Sequence, residues 1–371
     1  MKVCFVVGTL ARGGAEKQLV FMLQALQKLG IESEVLCLTR GEPYEEEIND
    51  LGFQVRHVGA SKNRLSRLAN IVRALRESRP DIVQSSHFYT NLYAGAAGKL
   101  LRIPSIGAVR SDLIYEIQSH RVTGKLQVSL PDMLITNSDA AHRRLLERGL
   151  DPAKIEFVRN VVETKNGTKN GSSRRGLKIL FVGRLDKNKR PERFVRLASI
   201  LTEQFPHAEL QFQIAGDGEK RFELETTAEL LDLGSDKLTF LGDCADMHSV
   251  YAGADILVST SEREGTPNVV LEAMAHGLPV VATAVGGTRD LVTDGRGLLV
   301  EPGDETALVK AAADLILNKD TRSRIGTEGL RYVRANHSLG ALQKHLLKIY
   351  EGLSHRAEKL TVPVLKSERA E

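Results

Sequence analysis

Ser259–Gly287, STSEREGTPNVVLEAMAHGLPVVATAVGG, is the stretch that decides the fold. Ile256–Ser259 and Pro279–Thr283 read as two short apolar strands, and the segment between them reads as one short helix. Thr266 is suited to cap that helix, Pro267 to open its first turn, and Gly277 with Pro279 to stop it. Strand, short helix and strand in so few residues make a parallel crossover unit.

Working outward, the same alternation fills the chain. Val3–Val7, Glu34–Leu38, Asp81–Gln84, Ser105–Val109 and Met133–Thr136 read as strands before it. Past residue 176, Lys178–Val182, Glu209–Ile214, Lys237–Phe240 and Gly297–Val300 join the two already named. The segment Glu163–Gly176, ETKNGTKNGSSRRG, interrupts the pattern and has no apolar face to bury. A length of 371 residues also argues for two cores. The expected organisation is a first α/β domain over 1–162, a linker over 163–176, and a second α/β domain over 177–339. A final helix over 340–353 is expected to pack back towards the first domain, with a charged tail over 354–371. The fold class is two Rossmann-like parallel-sheet domains facing across a cleft, with ligands beyond the carboxyl ends of the strands.

Composition excludes several classes. Hydrophobic content is 42%, charged content 26%, and tryptophan is absent, so the cores rest on aliphatic side chains. Cys4, Cys37 and Cys244 form no zinc-spaced cluster and fit a reducing cytoplasm. A strand at the very start is not a signal peptide, and no apolar run of about 18 residues is present to span a membrane. The formal charge of +4 is uneven. In the helical stretch 62–79, Lys62, Arg64, Arg67, Arg73, Arg76 and Arg79 face only Glu77, while Leu65, Leu68, Val72 and Leu75 recur at helical spacing. That is either a solvated basic face or a helix resting on an anionic membrane surface. Nucleic acid is not an expected partner, because the region lacks aromatics for base stacking.

The chemistry-bearing residues fall at strand ends. Glu264 lies in the loop before the short helix and Glu272 in its middle, and a helix N-terminus favours a phosphate. Carboxylates beside a phosphate make sense when they accept hydrogen bonds from hydroxyls, as on a nucleotide sugar. In Val182–Arg190, VGRLDKNKR, Arg184 and Lys189 follow a strand directly and could hold a diphosphate. Lys187 and Arg190 read as solvated. Gly8–Glu16, GTLARGGAE, places Gly13-Gly14 where backbone can approach a ligand, but matches neither the dinucleotide fingerprint nor a P-loop. Ala215-Gly216-Asp217-Gly218 could approach a nucleotide or be a plain turn. His87 and Arg110 end strands, and an isolated histidine is more often structural. There is no D-x-D metal motif and no G-x-S-x-G elbow.

These motifs resemble glycosyltransferase family 4, a retaining family of GT-B architecture. The resemblance runs from GGAE at Gly13–Glu16, through TNS at Thr136–Ser138, GRLDKNK at Gly183–Lys189 and GDG at Gly216–Gly218, to EGTPNVVLEAMAHGLPVVAT at Glu264–Thr283 and the Gly286-Gly287 pair. It implies donor binding by the second domain and an acceptor side on the first. Arg184 and Lys189 would bind the diphosphate, Glu272 the ribose and Glu264 the transferred sugar, with His87 a further catalytic candidate. Gly13 and Gly14 would approach the phosphates. Backbone over Gly242–Met247, with Asp246, would meet the base. Gly183, Gly216, Asp217, Gly265, Thr266, Pro267 and Asn268 would complete the donor site, and Glu16, Arg110 and Asn137 would lie on the acceptor side.

The family's commonly favoured route is front-face displacement, which needs no protein base, no metal and no cofactor. A UDP-sugar is expected over GDP-mannose, with a glycan or lipid-linked acceptor in cell-surface polysaccharide or glycoconjugate synthesis. The expected location is the cytoplasm, or the inner face of the cell membrane. Arg110 stands where the family often has histidine, Val161 where it has glycine, and Asp290 where glutamate is common. A nucleotide-sugar epimerase on the same fold and a non-catalytic subunit are the alternatives.

Overall fold

A computed structural model describes residues 1–61, 63–164, 176–293 and 295–361. Lys62, most of the expected linker, and the end of the charged tail lie outside the described residues. The chain divides into two units, one of Met1–Asn137, His142–Val158 and the chain from Leu339, the other of Ser138–Ala141 and Arg159–Ser338.

The first unit holds a seven-stranded sheet of β1 (Lys2–Val7), β2 (Glu32–Cys37), β3 (Gln54–His57), β4 (Ile82–Ser85), β5 (Ser105–Val109), β6 (Met133–Thr136) and β7 (Ile155–Phe157). Its order is β3-β2-β1-β4-β5-β6-β7 and its paired neighbours are parallel. Val3–Val7 are all buried, as a central strand covered on both faces requires. The strand order reverses between β1 and β4, and open α/β sheets place their ligands beyond the carboxyl ends of the strands at such a switch point.

The second unit holds a six-stranded parallel sheet of β8 (Leu177–Val182), β9 (Leu210–Ala215), β10 (Leu238–Gly242), β11 (Ile256–Ser259), β12 (Val280–Thr283) and β13 (Leu298–Val300). Its order, β10-β9-β8-β11-β12-β13, reverses between β8 and β11. Phe181, Phe194 and Phe212 pack on one face; Leu180, Leu257, Leu271 and Met274 pack on the other. The two switch points therefore select the loops after β1, β4, β8 and β11, where most of the motifs fall.

Three expectations need correction. The short edge strands β3 and β7 do not stand out in the sequence, because QVRH and IEF offer little apolar alternation. The last helix is Leu339–Thr361, longer than 340–353, since the charged residues after Ser354 are good helix formers. The second unit begins at Arg159, before the expected linker. Asn160 donates to Thr266 O at 3.3 Å and to Asn268 Oδ1 at 2.8 Å, and Val162 N donates to His337 O at 3.1 Å. These bonds tie the 159–162 segment to the second unit. The Leu339–Thr361 helix packs on the Gly14–Lys28 helix, and Tyr350 donates to Gln84 Oε1 of β4 at 2.7 Å.

Candidate active site

At the end of β8 the chain turns through Gly183–Arg190. Asp186 Oδ1 accepts from the backbone N–H groups of Asn188 and Lys189, both at 2.9 Å, and so shapes the turn. The neighbouring loop after β11 is stitched to it. Thr260 Oγ1 donates to Lys189 O and Arg190 O at 2.9 Å, Glu262 N donates to Asn188 O at 2.7 Å, and Asn188 Nδ2 donates to Arg263 O at 3.1 Å. This lacing brings Lys189 Nζ to 2.5 Å from Glu264 Oε1. The side chains are 22% and 10% exposed, so the pair is held at the strand ends with little screening.

Two glycines set the backbone here. Gly216 has φ +127°, and a Cβ on it would lie 2.1 Å from Gly183 O; the loops after β9 and β8 meet backbone to backbone. The GDG motif thus serves a loop-to-loop approach, and Leu185 N donates to Asp217 O at 2.9 Å beside it. Gly286 has φ +45°, and its Cβ would lie 1.8 Å from Glu264 O. Gly287 N donates to Gly265 O at 2.7 Å, so the glycine pair braces the backbone of Glu264 and Gly265.

The other second-unit residues expected from the sequence to bind a donor lie on neighbouring elements of the same unit. Arg184 is 71% exposed and 3.8 Å from Asp186 Oδ2. The short helix is Asn268–Ala275, with Pro267 rather than Thr266 in the cap position and no side-chain cap. The Thr266 backbone oxygen instead accepts from Asn160 Nδ2 at 3.3 Å. Glu272 accepts from the Tyr251 hydroxyl at 2.7 Å. Asp246 caps the Met247–Ala252 helix through Ser249, and the hydrogen bonds from Ser249 hold its carboxyl below the usual carboxylate range. Gly242 O accepts from Gly216 N at 2.8 Å, and Met247 packs on the apolar cluster beneath. Lys189 and Glu264 are in direct contact; Arg184 and Glu272 each have a different partner. Arg190, read as solvated, is 2.7 Å from Glu262 and 3.2 Å from Glu192, because the left-handed cap it forms turns it back onto them.

In the first unit, His87 stands just beyond β4. Its Nδ1 accepts from Gly8 N at 3.2 Å and its Nε2 faces Glu16 Oε1 at 2.8 Å. An Nδ1 that accepts leaves the proton on Nε2, directed at the carboxylate. Both ring nitrogens are engaged within the unit, so His87 pins the loop after β1 and Glu16 orients it. Gly13 precedes the Gly14–Lys28 helix with an extended backbone, and its carbonyl accepts from Lys17 N at 3.1 Å. Asn137 Nδ2 donates to Arg110 O at 3.3 Å. Burial pushes the Arg110 guanidinium down to about 10, and its Nη2 meets Met22 Sδ at 3.4 Å.

Glu42 escapes a sequence reading, because no motif marks its loop. It accepts from Leu10 N, from Thr9 Oγ1 at 2.8 Å and from Thr39 Oγ1 at 2.5 Å. Burial pushes this carboxyl up, but the hydrogen bonds from Thr39, Leu10 and Thr9 outweigh it and leave it below its ordinary value. Among the described residues, no three His, Cys, Asp or Glu side chains form a group that could hold a metal ion. No described helix is long and apolar enough to cross a membrane.

Known proteins match both units. Residues 162–331 match the model for glycosyl transferases group 1, and residues 12–166 that for glycosyltransferase family 4. The chain is 30% identical over 336 residues to the Campylobacter jejuni alpha-1,4-N-acetyl-D-galactosaminyltransferase that acts on GalNAc-alpha-(1->4)-GalNAc-alpha-(1->3)-diNAcBac-PP-undecaprenol, covering 86% of this chain and 90% of that one. It is 28% identical over 400 residues to a Corynebacterium urealyticum D-inositol 3-phosphate glycosyltransferase, covering 95% and 93%. Among solved structures, Anabaena Alr3699/HepE in complex with UDP and glucose superposes with a TM-score of 0.82 at 19% identity, covering 95% of this chain and 99% of that one, a likeness of fold. Two parallel sheets with laced loops at the second switch point, and relatives aligned along most of the chain, place this protein in glycosyltransferase family 4, with the GT-B architecture.

Proposed function

We propose that this protein is a retaining, metal-independent glycosyltransferase that moves a sugar from a UDP-sugar to a glycan or lipid-linked acceptor. The observation that carries the reading is the Lys189–Glu264 pair at the β8/β11 switch point. Its ammonium suits a diphosphate and its carboxylate suits a sugar hydroxyl. Exposed Arg184 supplies a second cation on the same loop. Glu272 takes the ribose and the Gly242–Met247 segment meets the base.

In the reaction, the acceptor oxygen forms its bond to the anomeric carbon on the face that the diphosphate leaves. The bond from that carbon to the phosphate oxygen breaks, and the acceptor proton passes to that oxygen. The configuration is retained and no protein base is consumed. Arg184 and Lys189 offset the charge growing on the leaving group in place of a metal ion.

The acceptor follows the C. jejuni relative, whose substrate is lipid-linked. The basic helix Arg64–Ser78 suits an anionic membrane surface at the inner face of the cytoplasmic membrane, with Leu65 75% exposed among its cations. A screen of nucleotide sugars tests the reading. UDP, or GDP, raises the melting temperature in a saturable way, and the matching sugar nucleotide is hydrolysed slowly without acceptor, with EDTA having no effect. No melting shift with either nucleotide overturns it.

A further inference from the structure

Tyr251 is a fully sequestered phenol in the second unit, 1% exposed, on the Met247–Ala252 helix. Its hydroxyl donates to Glu272 Oε2 at 2.7 Å. Glu272 itself lies on the next helix, Asn268–Ala275. A buried tyrosine hydroxyl needs a partner, and a carboxylate is the strongest neutral-donor partner a protein offers. Burial and the Glu272 carboxylate push the phenol well above its ordinary value, so it stays a donor at every physiological pH.

The surrounding contacts fix the pair in place. The Tyr251 ring stacks on His276, with centroids 5.2 Å apart and planes at 28°. His276 Nδ1 lies 2.7 Å from the backbone oxygen of Glu272, and His276 Nε2 lies 2.8 Å from His248 Nδ1. Tyr251 and His248 belong to the helix that Asp246 caps, directly after the Gly242–Met247 segment. The two helices are therefore joined at two points, one at the carboxylate and one at the imidazole pair. A long acidic side chain is otherwise free to rotate, and a site made for a hydroxyl loses discrimination when its acceptor is not fixed.

We propose that Tyr251 is a positioning residue for donor recognition: its hydroxyl fixes the Glu272 carboxylate to receive the ribose hydroxyls, and so couples ribose recognition to the base-side helix. The inference rests on the assignment of Glu272 to the ribose. It predicts a specificity effect, because an unfixed carboxylate can still bind but no longer tells ribose from its deoxy analogues.

The test compares UDP with 2′-deoxy-UDP and 3′-deoxy-UDP by calorimetric titration of the full chain, using the guanine nucleotides instead where GDP is the one that shifts the melting temperature. Wild type is expected to prefer the ribonucleotide over at least one deoxy analogue by about tenfold or more, the worth of one charge-assisted hydrogen bond. Glu272→Gln removes most of that preference. Tyr251→Phe keeps the ring and its stack on His276, and is expected to lower the preference at least about threefold while wild-type selectivity between uracil and guanine persists. In the double variant, Tyr251→Phe adds nothing to Glu272→Gln.

A merely structural role lowers the melting temperature of Tyr251→Phe but leaves the ribose preference at the wild-type ratio. That result, with Glu272→Gln behaving as expected, overturns the role of Tyr251 alone. If Glu272→Gln keeps the full preference, the ribose assignment fails and the inference fails with it.

Discussion

Lys189 Nζ and Glu264 Oε1 lie 2.5 Å apart, although the two residues are 75 positions apart in the chain. Each neutralises the other across two loops that follow neighbouring strands, β8 and β11. Lys189→Ala and Glu264→Gln are each expected to lower turnover by about ten- to a thousand-fold, the usual cost of one charge-stabilising contact. Because the two act as a pair, the double variant should lose less than the product of the single losses. Wild-type turnover in either single variant removes that residue from the mechanism.

Arg184 makes a different prediction from its neighbour. Its side chain is 71% exposed and only 3.8 Å from Asp186. Arg184→Ala should leave stability within about 0.5 kcal/mol, as for an ordinary surface position. Turnover should still fall by about ten- to a thousand-fold if the guanidinium acts on the leaving diphosphate. A thermal melt and a steady-state assay on the same preparation check both halves.

Gly286 and Gly303 separate backbone strain from crowding. Both are left-handed, at φ +45° and +91°. A Cβ at Gly303 meets nothing within 4 Å, whereas at Gly286 it meets Glu264 O at 1.8 Å. Gly303→Ala should cost about 1 kcal/mol and leave activity alone. Gly286→Ala must move the Glu264 backbone, so it should cost roughly 1–3 kcal/mol and depress turnover as well. Equal behaviour of the two variants in melting and rate would remove the bracing role of Gly286.

His337 supplies a pH prediction. It is 3% exposed, and its Nδ1 meets Asn160 O at 2.7 Å. Burial pushes it down from 6.5 to about 4, Arg159 and Arg296 add to the shift, and the Asn160 bond opposes it. The folded state therefore binds fewer protons than the unfolded state between those values. The stabilisation is complete above pH 6.5 and is lost as pH falls towards 4, by about 3 kcal/mol at most. His337→Gln should flatten the decline of melting temperature over that window. An unchanged slope counts against the assignment.

Much of this was legible in the sequence because parallel strands buried on both faces are continuous apolar runs. Ser105–Val109, Met133–Thr136 and Ile256–Ser259 have the bounds the apolar pattern indicates. QVRH at β3 does not, since an edge strand needs only one covered side. Lys189 and Glu264 could be named because they follow strands directly. Tyr251 and Glu42 could not, as their partners are set by tertiary packing. The same holds for Asn160, whose acceptors lie 106 and 108 positions away and which carries the unit boundary with it.

The Tyr350–Gln84 bond spans 266 positions and lies wholly in the first unit. On the ribosome, the strands of that unit emerge before the main run of the second unit, but the helix that covers the Gly14–Lys28 face emerges after it. The second unit, apart from Ser138–Ala141, is one unbroken run of chain ending at Ser338 and can be completed during synthesis. The first unit is thus completed only after the second, and a nascent chain halted before Leu339 leaves the Gly14–Lys28 layer uncovered for chaperones to guard.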